Sequence, residues 1–137
     1  MLYAILCYDN EEVVHGWSKE EDAAVMERLI AVQEKLKAQG RLGPVARLLP
    51  TTAATTIRKG PTPLILDGPF AETKEQLLGF YIVDCATLED ATDVAKELAA
   101  ASGSAGAFEL RPLMVFRPND VTRDTASSSP TGGRPTQ

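Results

Sequence analysis

Residues 77–84, LLGFYIVD, are apolar on both sides of any extended chain they form. Successive side chains of a strand point to opposite faces, so Leu78, Phe80 and Ile82 would line one face and Leu77, Tyr81 and Val83 the other. Residues 2–8, LYAILCY, have the same property: Tyr3, Ile5 and Cys7 alternate with Leu2, Ala4, Leu6 and Tyr8. A half-solvated strand shows apolar and polar residues in alternation. Two strands lacking that alternation belong in the middle of a sheet, covered above and below.

The rest of the chain supplies cover for one face. Ser18-Lys19-Glu20-Glu21 is a capping box that opens a helix over 18–39. Val25, Leu29, Val32 and Leu36 fall at i, i+4, i+7 and i+11; Met26 and Ile30 widen the stripe, and Gly40 stands at the C-terminal cap. Thr87-Leu88-Glu89-Asp90 opens a second helix with Ala91, Val94, Ala95 and Leu98 on its core face, closed by the Ser/Gly run at 102–106. Between the helices, 41–51 reads as irregular, with Pro44 and Pro50. TAATTIR at 52–58 reads as a strand, turned by Lys59-Gly60-Pro61-Thr62 into PLILD at 63–67. The last strand spans 107–116, and Pro112, which lacks a ladder donor, marks an edge or a bulge. The order β-α-β-(β)-β-α-β predicts an α+β, ferredoxin-like split β-α-β fold: an antiparallel sheet with both helices on one face.

That leaves the other sheet face bare. Roughly six to eight large side chains would be wet there, each worth ~1.5–3 kcal/mol when buried, against a net domain stability of ~5–15 kcal/mol. The expected cover is a second copy of the chain, with two sheets face to face in a homodimer. The competing arrangement folds the loop 41–51 across the sheet.

The 137 residues suit one domain. Residues 118–137 are rich in Ser, Thr, Pro and Gly, with Val121 their one large apolar residue, and predict a disordered tail after a 1–117 domain. Fourteen Lys and Arg against 19 Asp and Glu give a net charge of −5, which argues against nucleic acid as a partner. No apolar run approaches the ~20 residues of a membrane span, and the opening residues read as a strand, not a signal peptide; a cytoplasmic protein with no membrane partner is expected. Cys7 and Cys85 lack the spacing of a metal site and are expected as free thiols. They sit near the same ends of two strands expected to run parallel, so they would lie close together, as small buried hydrophobes.

Asp67 in LDGPF follows an apolar strand; partly desolvated, it would suit a general base, and otherwise it caps an Asx-type turn. Phe70 is an apolar anchor for that turn. His15, the single imidazole, suits acid–base work near neutral pH or is a loop residue beside Glu11 and Glu12. Trp17 either walls a cleft or staples the helix start to the core. Tyr8, Tyr81 and Arg111 complete the candidates for holding a substrate, Arg111 alternating with Glu109 as for a cross-strand ion pair.

The segment LDGPFAETKEQLLGFYIVDC resembles the signature of the DGPF-domain branch of the YCII-related family. MLYAILCYDNEE is similar to its opening strand, ATTIRKG to its mid-chain hairpin and FELRPLMVF to its closing strand, so the resemblance spans most of residues 1–116. It implies a dimeric α+β barrel of ferredoxin-like subunits, with a cleft in each proposed as an active site; most members have no assigned reaction. Relatives in the core branch carry a His–Asp pair with the His on the first helix, whereas 18–39 here contains no His. The expected function is a small cofactor-independent enzyme, lyase- or isomerase-like, in which Asp67 moves a proton and the aromatics hold a small organic molecule. The alternative is a non-catalytic small-molecule-binding or regulatory dimer.

Overall fold

The computed structural model describes residues 1–118. Its elements are β1 (Leu2–Asp9), a one-turn helix α1 (Glu11–Val14), α2 (Lys19–Ala38), β2 (Leu42–Arg47), β3 (Thr55–Arg58), β4 (Leu64–Asp67), β5 (Gln76–Asp84), α3 (Leu88–Ser102) and β6 (Ala107–Pro112). Four strands form an antiparallel sheet in the order β2-β5-β1-β6, with β3 and β4 a separate two-stranded ribbon. This is the expected ferredoxin-like α+β layout, and the two strands that are apolar on both faces are the central pair.

Local chemistry sets the helix ends. Ser18 accepts the Glu21 N–H while the Glu21 carboxylate accepts the Ser18 N–H, a complete capping box. Thr87 accepts the Asp90 N–H at the start of α3. Gly103, at φ +70°, ends α3 in the left-handed conformation that disfavours a side chain. Tyr3, Ile5, Tyr81 and Val83 on one sheet face pack with Leu36 of α2 and with Ala91, Val94, Ala95 and Leu98 of α3. Ile5, Val83, Leu36 and Leu98 are the largest side chains fully shut off from water.

Several expectations need correction. The stretch read as irregular contains β2, the edge strand paired with β5. Gly43 and Pro44 hid it: they fall where the register shifts between Leu42 and Val45, a break that an edge strand tolerates. Residues 42–47 therefore do not fold across the open face. The hairpin read at 52–58 and 63–67 exists in shorter form but stands outside the main sheet. The closing strand ends at Pro112, not at 116; the Leu113 N–H still bonds to the Leu2 carbonyl, and Met114 is 97% exposed. Ile30 is exposed and does not widen the α2 stripe.

The cysteines are not neighbours. β1 and β5 run antiparallel, with Cys7 opposite Gly79, whereas Cys85 lies past the far end of β5, its N–H bonded to the Met1 carbonyl. Both are free. The Arg111–Glu109 pair lies along one strand, 3.7 Å apart, not across two. Most of the tail expected at 118–137 lies outside the described residues.

On the face away from the helices, Ala4 and Ile82 are buried and Leu2, Leu6, Leu78 and Phe80 are half-buried. Wetter apolar side chains lie elsewhere, among them Met114, Leu49 and those of the β3–β4 ribbon.

Gly79 is a point of very close backbone contact between β5 and β2. A Cβ there would stand 2.4 Å from the Ala46 carbonyl oxygen on β2. Gly79→Ala should force β2 away from β5 and cost about 1–3 kcal/mol in stability, as overpacking does; urea unfolding of the variant and the parent checks this.

Candidate functional site

Gly79 also leaves a gap. It occupies the helix-facing row of β5 with no side chain, opposite the small Cys7. Between this gap and α2 lies a cavity of about 140 Å³. Val25, Met26 and Leu29 of α2 form one wall, and Tyr81, Cys7 and Phe108 of the sheet form the other. Tyr8 joins the lining next to the β1 irregularity between Cys7 and Tyr8.

Trp17 and Val14 close one end, and their position depends on α1. Asn10 caps that turn by accepting the Glu12 N–H at 2.8 Å. Glu11 then ties it to the chain after β2: its carboxylate accepts the Thr51 hydroxyl at 2.6 Å and the Thr51 N–H at 2.7 Å. The Thr51 hydroxyl bond holds the Glu11 carboxyl below its ordinary range; burial opposes this, and the Thr51 N–H and His15 reinforce it.

Polar groups are a minority of the lining. Arg47, at the end of β2, reaches the lining while bonding Asp22 Oδ1 at 3.0 Å and the Met26 sulfur at 3.2 Å. Gln33, the Tyr8 and Tyr81 hydroxyls, Asp9, Ser102 and Ser104 also line it. Burial pushes the Tyr81 hydroxyl up to about 12 and Cys7 beside it adds to the rise, against the pull of Gln33 and Arg47. Burial likewise pushes the Cys7 thiol up to about 12. Both groups therefore keep their protons at neutral pH and act as hydrogen-bond donors, not as nucleophiles or bases. A shallower depression adjoins the cavity and shares Val14, Trp17 and Arg47 with it; His15, Ser18 and Asp22 line it.

The structure thus brings Tyr8, Trp17 and Tyr81 together in one cavity, with the exposed His15 next door. Asp67 and Phe70 are exposed on and beside the β3–β4 ribbon, away from that lining. The desolvation that a basic Asp67 requires is absent there, and Thr56, not Asp67, bonds the turn by donating to the Gly68 carbonyl. Arg111 is exposed on β6. Among the described residues no three His, Cys, Asp or Glu side chains converge as a metal site would need.

Residues 1–117 match the YCII-related domain family. The chain is also 57% identical over 123 residues to an uncharacterised protein of Rhizobium meliloti (strain 1021), a match covering 88% of this chain and 98% of that protein. The chain belongs to the YCII-related family. In this YCII-related protein α2 carries no His, so the helix-borne imidazole that the resemblance to core-branch relatives implies has no counterpart there, and His15 precedes the helix. Arg47 was not singled out for the site because β2 was read as irregular, and Asp22 and Gln33, on the correctly placed α2, carry no pattern of their own; the one available signal was the spacing of Asp22 and Met26, a turn apart on α2, which face the same guanidinium.

The Glu11–Thr51 tie has a pH signature. Its contribution is complete above the ordinary carboxyl value of 4.5 and is lost as pH falls through the lower folded value. Glu11→Gln should remove that acid-dependent loss; urea midpoints followed from about pH 6 to about pH 3 for both proteins check it.

Proposed function

We propose that this YCII-related protein binds a small, mainly apolar organic molecule, one ring in size and bearing a single polar or anionic group. The observation that carries this reading is the α2–sheet cavity: mainly apolar walls, with Arg47, Gln33 and the Tyr81 hydroxyl among its polar groups, alongside Tyr8, Asp9, Ser102 and Ser104. Its ~140 Å³ is close to the ~150 Å³ of an apolar cavity that takes up benzene. Tyr8, Trp17, Tyr81 and Phe108 offer aromatic faces to such a ring, and Arg47 suits a carboxylate. The working unit is a homodimer whose sheets pack through Leu2, Leu6, Leu78 and Phe80. No cofactor is required for this role, and neither nucleic acid nor a membrane is a partner. The DGPF-like loop supports a place in that branch of the family.

The second reading is a cofactor-independent enzyme, lyase- or isomerase-like. His15, in the depression that shares Trp17 and Arg47 with the cavity, favours it. Tyr81 and Cys7, kept protonated by burial, cannot act as bases near neutral pH. In one chain Asp67 is remote from the ring site, so its part in catalysis would require delivery by another subunit.

Trp17 is the one tryptophan and lines the cavity, so its fluorescence reports on this site. Titration with benzoate and related single-ring acids should give saturable quenching, and Arg47→Met should weaken it at least ~10-fold, the loss of a charge-assisted bond. If no single-ring acid or neutral analogue perturbs Trp17, the binding proposal fails. Turnover of a bound compound that survives His15→Asn unchanged would remove His15 from the chemistry.

A further inference from the structure

The ring cavity has a neighbour. A second hollow of about 250 Å³ lies between α3 and β6, and Tyr8, Asp9, Ser102, Ser104 and Phe108 line both spaces. The two therefore meet at the end of β1, where the chain leaves α3 for β6. Side-chain size explains the second hollow. Val94 and Leu98 of α3 fill the core, whereas Ala95 and Ala99, one turn apart, line the space over Phe108 and Leu110 with nothing larger than methyl groups. The junction is fixed by backbone packing, since a Cβ on Gly106 would collide with the Tyr8 carbonyl oxygen. Neither hollow alone reaches the ~300 Å³ at which small-molecule sites usually begin; the pair does.

The chemistry changes across the junction. Asp9 brings a carboxylate to it, one oxygen already accepting the Asn10 N–H at 2.7 Å. Thr92 and Ser102 each donate their hydroxyl hydrogen to a helix carbonyl at 2.8 Å, so they face the second hollow as acceptors. Lys96 supplies the positive charge in its lining. Among the described residues Lys96 takes part in no ion pair, whereas Arg47 is held by Asp22.

We infer that the two hollows form one elongated site, whose ligand is a ring acid carrying a short flexible chain that ends in a second acidic group. The ring lies in the first cavity, the chain passes Tyr8 and Phe108, and the terminal anion meets Lys96. This rests on the ring-binding reading above; the single-ring molecule proposed there is the part that the first cavity holds. The second acid belongs at the far end of the chain, because the like charge of Asp9 opposes it at the junction.

The test uses the full chain and Trp17 fluorescence. Benzoate is compared with benzoates that bear, para to the carboxylate, a carboxyl group directly or at the end of two to four methylenes. The chain acids should bind at least ~10-fold tighter than benzoate, from methylene burial together with the charge-assisted contact, and terephthalate should gain nothing. Ala99→Trp, at an exposed helix position that lines only the second hollow, should abolish the gain and leave benzoate binding as it was. Lys96→Met should make the acid-ended chain no better than the same chain ending in a methyl group. Chain acids no tighter than benzoate, or a gain that survives Ala99→Trp, overturn the elongated site and leave the ring site standing. An acid preference that survives Lys96→Met overturns the assignment of the terminal anion. If neither benzoate nor any chain acid perturbs Trp17, the ring-binding reading falls and this inference with it.

Discussion

The β1–β5 pair carries the structure. Eight residues of β1 and nine of β5 run antiparallel from Leu2 opposite Asp84 to Asp9 opposite Gln76, with one irregularity at Cys7 and Tyr8. One face of this ribbon is the floor on which α2 and α3 close the core, and its outer edges template β2 and β6. Because both faces are apolar, the pair imposes two demands. The helices meet the first within one chain. The second, on the far face, is met only in part, since its large side chains remain half-exposed.

Gly79 links fold and site through the absence of one side chain. On its edge side it lets β2 approach so closely that a methyl group would collide with the Ala46 carbonyl. On its face it leaves the space between α2 and the sheet in which aromatic side chains gather around a single-ring volume. β2 in turn brings Arg47 against Asp22 and Met26 of α2, so the strand admitted by the glycine delivers the cation at the cavity. A larger residue at position 79 would disturb both relationships together.

The groups in this site are arranged for holding more than for attacking. Cys7 and Tyr81 are kept protonated by burial, and Arg47 already has a carboxylate partner. His15 has the right chemistry for proton transfer but stands in the adjoining depression. The DGPF turn, the most distinctive stretch of sequence, lies at the base of the exposed β3–β4 ribbon and not at the cavity wall.

Periodicity was enough to determine the two central strands, both long helices with their caps, and the ferredoxin-like order, because each of these depends on residues near one another in the chain. Trp17, Tyr8 and Tyr81 were legible as aromatics that would hold a substrate; that Phe70 and Arg111 stand apart from them was not. What only the tertiary structure decided were the relations between distant segments. Strand direction separated Cys7 from Cys85, and edge pairing made a strand of a Gly-Pro stretch with no strand pattern of its own. The same pairing carried Arg47 to α2, and the ribbon left the main sheet although its local pattern resembles any buried strand. Alternation specifies that a face is apolar; the partner that covers it is fixed by packing across tens of residues, which no local pattern encodes.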